Sequence, residues 1–382
     1  MNADIVNVAQ DFARKHHGEA LDLLRELARV PAPSHHEELR AAFICDWMRQ
    51  NGMHGAMVDD AANVICPLND DGHRDLVVFA AHTDVVFPDT SELPLHEEDG
   101  RMYAPGVGDD TANLVALLLA ARHLAQHPSP LPRDVGVLVI ANSCEEGLGN
   151  LKGTKRLFDV YGSRIKRYYS FDLYLPGYVD VAVGSYRWRI AVTTQGGHSL
   201  KDFGRPNAIE RLCALVQRLY AISLPQDTLC TMNVGAIQGG TTVNAIAANA
   251  SCLFEFRSTS DEALRSLAGH LERIVEQVRS DEVGVTVESM GIRPASVPSG
   301  PEQSRMSELT ADILRAITNE EPTCEPASTD ANIPLSMGIP ANTIGAVRGA
   351  LLHTRDEWVD TASVEEGLAV VMALMLSQDQ LA

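Results

Sequence analysis

Three short apolar runs in the first half of this chain each end in His, Asp or Glu, and that pattern constrains the fold more than any bulk property. Asp75-Leu76-Val77-Val78-Phe79 leads into Ala80-Ala81-His82-Thr83-Asp84, residues 134–141 lead towards Glu145-Glu146, and residues 165–171 lead into Asp172. Short, continuously apolar runs are the mark of strands buried on both faces, as in a sheet covered by helices. The carboxyl ends of such strands are where α/β proteins build their sites. Asp109-Asp110 and, far along the chain, His353 add to the set. Two His and several carboxylates gathered at strand ends read as a two-metal hydrolytic site.

The surrounding pattern divides the chain. Residues 4–28 repeat apolar positions at helical spacing, and Pro31-Ala32-Pro33 breaks that helix. Ser34-His35-His36-Glu37 matches a capping box and predicts a helix over 38–51, with His35 and His36 on a solvated first turn. Strands are expected at 63–67, 75–80, 134–141 and 165–171, with an apolar helix at 113–126. From about 184 the order changes. Strands at 187–195, 232–237, 251–256 and 284–289 and helices at 208–222 and 261–279 give the β-α-β-β-α-β order of a ferredoxin-like unit. It carries almost none of the acidic cluster. After Pro298-Ser299-Gly300-Pro301 a helix over 304–318 restores the first pattern. The expected fold is α/β, a mixed sheet with helices on both faces. It forms a discontinuous catalytic domain, 1–183 and 297–382, interrupted by a lid and dimerisation domain at 184–296.

Bulk properties exclude several classes. A chain of 382 residues is long enough for two cores. A formal net charge of −20 disfavours nucleic acid and anionic membrane surfaces, which require clustered Lys and Arg. No apolar run reaches the length of a membrane span. The seven Cys are scattered with no Cys-x-x-Cys, and Met1–Ile5 lacks the basic and apolar regions of a signal peptide. Reduced thiols in a cytoplasmic protein are therefore expected.

Zinc takes three or four N and O donors with one position open. His82, Asp109, Glu146, Asp172 and His353 supply five donors, enough for two ions if one carboxylate is shared. Asp109 is the expected bridge, with His82 and Asp172 on one ion and Glu146 and His353 on the other. Three carboxylates and a shared hydroxide balance the charge of two divalent ions. Cobalt or manganese would also suit these donors. Asp84 is expected to take the second ring N–H of His82 and fix its tautomer. Glu145, beside the ligand Glu146, is the expected general base and then the acid to the leaving nitrogen. Competing motifs fail. Gly106-Val107-Gly108 lacks the third glycine of a dinucleotide loop, and no Gly-x-Ser-x-Gly or phosphate loop occurs. Cys144 reads as a small core residue rather than a redox group.

Across nearly its whole length the chain resembles the zinc metallopeptidase family M-twenty, which includes peptidase T, dipeptidases, a carboxypeptidase, aminoacylase and acetylornithine deacetylase. Ala81-His82-Thr83-Asp84-Val85-Val86 is similar to its first metal motif and Gly108-Asp109-Asp110 to its bridging motif, where a cis peptide follows the ligand. Cys144-Glu145-Glu146-Gly147, Phe171-Asp172 and His353-Thr354-Arg355-Asp356-Glu357 are similar to the rest. The resemblance implies that His198, in Gly196-Gly197-His198-Ser199, stabilises the oxyanion in a partner's site across a homodimer. It also implies that Asn244 and Arg257, in Thr242-Val243-Asn244 and Phe256-Arg257, bind the substrate backbone or carboxylate. Ser328-Thr329-Asp330 resembles a substrate-side loop. Two positions depart from the family pattern: Thr111-Ala112-Asn113 stands where a Lys is frequent, and Leu200-Lys201 where a Gly is common. Asp at position 172 favours substrates with a free α-amine, as in aminopeptidases, tripeptidases and dipeptidases. An N-acyl-amino-acid amidohydrolase or carboxypeptidase on the same metal site is the alternative. An intact Glu145 and a full donor set argue against a non-catalytic binding member.

Overall fold

The computed structural model describes residues 3–127 and 135–381. Its residues group into two compact units, Met1–Val181 with Val297–Ala382, and Ala182–Ser296.

The first unit is built on an eight-stranded mixed sheet in the order Met57–Val58, Val64–Leu68, Val135–Asn142, Asp75–His82, Ile165–Phe171, Ala341–Ile344, Gly177–Val179 and Thr323–Cys324. The expected strand over 134–141 is found at Val135–Asn142, and Asp134 lies outside the described residues. Seven of the eight residues of Asp75–His82 are buried, which explains the unbroken apolar run. That strand runs parallel to both neighbours, pairing His82 with Asn142 and Ala80 with Ser170. The register therefore brings three strand ends to one edge, and Asp172 leaves Phe171 there.

Alternation along Ile165–Phe171 sends neighbouring rings to opposite faces. Tyr169 and Phe171 join the cluster formed with helices Ala3–Leu27, Asn113–Gln126 and Ser363–Leu376, and Phe79 stacks on Tyr169 at 5.1 Å. Tyr168 points the other way and meets Phe158 of helix Lys152–Tyr161 at 5.9 Å. Helices thus cover both faces, as the sequence predicts. Helix Ser363–Leu376 is buried nearly all round, so it shows no polar stripe to read. Gly367 sits against the Ala346 carbonyl, where any Cβ would collide. A small antiparallel sheet of Gly349–Ala350, Trp358–Asp360, Arg101–Tyr103 and His96–Glu98 was not anticipated.

One local expectation is corrected. The helix Glu38–Gln50 begins after Glu37, and no side chain caps it. Ser34 donates instead to Asp84 Oδ2 at 2.7 Å, and Glu37 turns to the backbone of Cys144. The capping-box residues are spent on tertiary contacts.

The second unit is built on a four-stranded antiparallel sheet, Cys230–Gly239, Asn249–Ser258, Gly184–Thr193 and Gly284–Arg293 in spatial order, with helices Ala208–Tyr220 and Asp261–Val278 packed on it. In Asn249–Ser258 alternate residues are buried, and Phe254 and Phe256 meet Leu212 and Leu264 in the core. Asn207 and Ser260 cap the two helices through their side-chain oxygens. No helix among the described residues is long and apolar enough to cross a membrane.

Candidate metal centre

His82 closes its strand, and its ring Nε2 lies 2.9 Å from Asp109 Oδ1. His353, in left-handed backbone at φ 60°, places Nε2 3.0 Å from Asp109 Oδ2 and 3.2 Å from Glu146 Oε1. Each oxygen of Asp109 therefore faces a different imidazole. Two donor groups share His82: His82 with Asp109 and Glu146, and His82 with Asp110 and Asp172, all within 4.8 Å in each group. Sequence reasoning set Asp109 beside Asp172; in the structure Asp110 joins His82 and Asp172 in one donor group, and Asp109 joins His82 and Glu146 in the other. The Asp109–Asp110 peptide is cis.

The electrostatics are those of anions crowded out of water. Burial, then Asp109, push Glu146 up to about 7. Burial pushes Asp110 and Asp172 well above the carboxylate range, with nearby Asp109 adding to both. Burial opposes ionisation of Asp109 as well, but His353 and His82 hold it below its usual value. Hydrogen bonds to the Asp109 and Glu146 carboxylates raise His353 to about 11. Desolvation works against a charge on His82, yet Asp110, Asp109 and Asp84 lift it well above 6.5. Asp110 Oδ1 is buried without a hydrogen-bond partner. Carboxylates that raise one another and the imidazoles beside them in this way fit divalent cations, which satisfy such a donor set without protons.

Further carboxylates hold the loops that carry these donors. Asp84 Oδ1 accepts from Glu145 N at 2.9 Å, and Oδ2 from Glu146 N at 3.0 Å. The acceptor nearest His82 Nδ1 is the Asp84 backbone carbonyl at 3.0 Å, with the carboxylate at 3.5 Å. Asp84 thus clamps two backbone amides as well as facing the ring its carboxylate was expected to act on. Burial would raise its pKa, but His82, Ser34 and the Glu146 amide keep it low. Glu357 was missed as a site residue. Its Oε1 accepts from Gly108 N and Asp109 N at 2.8 Å, and its Oε2 from Gly106 N at 3.0 Å. Burial and Asp109 push its carboxyl up to about 7. Asp330, already noted in its loop, accepts from Asn142 and Thr154, and burial and Glu145 raise it to about 7.

Arg40 was missed too. It is fully buried and donates to the carbonyls of Val30 and Thr83 at 2.9 Å and to Thr111 Oγ1 at 3.4 Å. Burial lowers it to about 10, while Asp84 favours its charge. Glu145 is buried, beside the acids whose pKa values it raises. Cys144 is a buried thiol pushed up to about 12 by burial and Glu37, in keeping with an inert core residue.

In the second unit, Gly197–His198 pairs with Ala245–Ile246, and Ser199 N donates to Asn244 O at 3.0 Å. His198 and Asn244 are thus brought together across 46 residues of sequence. The His198 ring accepts from Leu200 N at 3.2 Å through Nδ1. Arg257 lies apart from them and pairs with Glu255 at 2.9 Å.

Known proteins place this geometry in context. A succinyl-diaminopimelate desuccinylase of Corynebacterium glutamicum is 25% identical over 367 residues, spanning 93% of this chain and 95% of its own. The crystal structure of aminopeptidase PepT from Bacillus cereus matches with a TM-score of 0.73 at 20% identity, over 94% of this chain and 98% of its own. A metallo-carboxypeptidase of Sulfolobus solfataricus matches at 0.76 and 14% identity, over 94% and 98%. The family model described as Peptidase family M20/M25/M40 matches residues 78–377, which include every donor from His82 to His353. The chain belongs to that family.

Proposed function

We propose that this member of a family of metal-dependent hydrolases is a di-zinc exopeptidase that releases residues from the free N-terminus of short peptides. The observation that carries the metal reading is Asp109, with one oxygen toward His82 and the other toward His353. His82, Asp109, Asp110, Asp172, Glu146 and His353 would hold the ions. Two divalent cations there would polarise a scissile carbonyl and acidify a shared water. Glu145 accepts the proton of the attacking water and delivers it to the departing nitrogen. His198 of a partner copy donates to the oxyanion, and Asn244 and Arg257 bind the substrate backbone or carboxylate. The protein works as a homodimer in a reducing, cytoplasmic setting, consistent with seven free cysteines.

Asp172, as the third carboxylate, supports a free α-amine on the substrate. The desuccinylase relative favours a second reading, hydrolysis of an N-acylated amino acid. The test is the rate on one unblocked tripeptide and on its N-acetylated twin, with and without chelator. Chelator-sensitive cleavage of the unblocked peptide alone is expected. Preference for the acetylated twin would replace the first reading by the second.

A further inference from the structure

The corner at 143–146 leaves the strand Val135–Asn142 and carries Glu145 and Glu146 between that strand and the short 3-10 turn Gly147–Gly149. Cys144 takes a left-handed conformation at φ 57°, which a residue with a Cβ disfavours. Such a conformation persists only where the surroundings over-determine it. Here they do. The Cys144 carbonyl accepts from Leu151 N at 2.9 Å, its N–H donates to Glu37 Oε1 at 3.0 Å, and its thiol donates to the same oxygen at 3.1 Å. Glu37 Oε1 also accepts the His35 N–H at 3.0 Å. The next two amides, of Glu145 and Glu146, go to Asp84. Three consecutive N–H groups are therefore held by two buried carboxylates, and Glu37 is 2% exposed.

Nothing at the start of helix Glu38–Gln50 needs this side chain, because it makes no capping bond there. Charge-assisted bonds to backbone N–H groups are the stronger kind, and burying a carboxylate for them is worthwhile only where the geometry matters.

We propose that Glu37 is a positioning residue of the active centre: by fixing Cys144 in its left-handed turn, it aims the Glu145 and Glu146 side chains that follow. The proposal rests on the reading of Glu145 as base and Glu146 as ligand. It differs from the role of Asp84, since the Glu37 bonds go to His35 and Cys144, upstream of the Glu145 and Glu146 amides that Asp84 holds.

The test uses the full chain with Glu37→Ala, Glu37→Asp and Glu37→Gln, and Glu38→Ala as a control for the helix start. Three quantities are measured: zinc affinity by calorimetry, kcat and KM on the unblocked tripeptide, and the melting temperature. Partners beyond the direct ligands change affinity or activity by roughly 10–100-fold. Glu37→Ala and Glu37→Asp are expected to lower kcat by that order and weaken the more loosely held zinc, with KM within about threefold. Glu37→Gln, whose amide oxygen still accepts the Cys144 N–H, is expected to restore most of both, and Glu38→Ala to match the parent chain.

Should Glu37→Ala fail to fold, Glu37→Asp decides, since it keeps the charge but shortens the reach. Parent-like kcat and zinc affinity in Glu37→Asp would overturn the proposal. So would equal losses in the Gln and Ala variants, because buried charge rather than the acceptor would then be what counts. If the parent chain cleaves neither peptide, the proposed function fails, and the clamp is still judged by zinc affinity. Weakened binding in Glu37→Ala and Glu37→Asp would support it, and unchanged binding would overturn it.

Discussion

The surroundings of Asp109 and of His198 are opposites. Around Asp109 nearly every ionisable group is buried, and the amides of both flanking loops are taken up by Asp84, Glu37 and Glu357. His198 stands on a two-residue ladder, beside Leu200 at 80% and Phe203 at 90% exposure. The first region is preorganised, with its donors aimed before anything binds. The second has satisfied its own backbone and leaves apolar side chains in water, as a segment does when it gains partners only on assembly. The proposed roles divide along the same line: metal and proton transfer for the buried donors, oxyanion contact for His198.

Asp109→Ala should break the first region outright. It removes the anion between two imidazoles, so both zinc affinity and hydrolysis should vanish, checked by metal analysis and peptide assay. Retained binding of two ions would remove Asp109 as the bridge. Glu145→Gln should separate holding metal from moving protons: zinc stays, and kcat falls about 10²–10⁴-fold. His198→Ala sharpens the contrast from the other side. It should lower kcat by about 10²–10³-fold, the scale of one oxyanion donor, with metal content unchanged. An unchanged kcat would make the second unit purely structural. Glu357→Ala leaves three amides without their acceptor and should weaken zinc binding by roughly 10–100-fold, together with a lower melting temperature.

The smallest effect is one of pH on the metal-free chain. Glu146, Glu357 and Asp330 all sit near 7 in the fold, raised from ordinary values of 4.5, 4.5 and 3.8. The folded state holds more protons than the unfolded one across that interval. Their contribution is present below the ordinary values and is lost as pH rises through about 7. His353, raised to about 11, has the same sign over a higher range. Chelated protein should therefore melt a few degrees lower at pH 8 than at pH 5.5, and added zinc should stabilise it most at pH 8. A metal-free chain that gains stability toward pH 8 would refute the picture of crowded anions.

The sequence made His82, Asp109, Glu145, Glu146, Asp172 and His353 legible because each stands at the end of an apolar run or in a short acidic motif. The supporting carboxylates were hidden for physical reasons. Glu37 had a sufficient local explanation as the last residue of a capping box, and nothing in the sequence signals that its oxygen reaches Cys144. Arg40 sits in a helical pattern where an Arg ordinarily faces water, yet it is fully buried. Glu357 lies inside the His353 motif, but its partners are about 250 residues away. The strands His96–Glu98 and Gly349–Ala350 are too short to show any period. Helix Ser363–Leu376 is apolar on every side beyond its first turn and so has no period to show there.

The reach of Glu357 also sets an order of events during synthesis. The loop carrying Asp109 emerges early, but the acceptor for its Gly106, Gly108 and Asp109 amides is made some 250 residues later. Asn113, at the start of the following helix, waits likewise for the Ala346 amide, and His17 of the first helix for the Thr361 carbonyl. A nascent chain halted before these segments has the early donors without the frame that aims them. Hydrolytic competence is then a property the ribosome confers last, so truncated products are born unarmed.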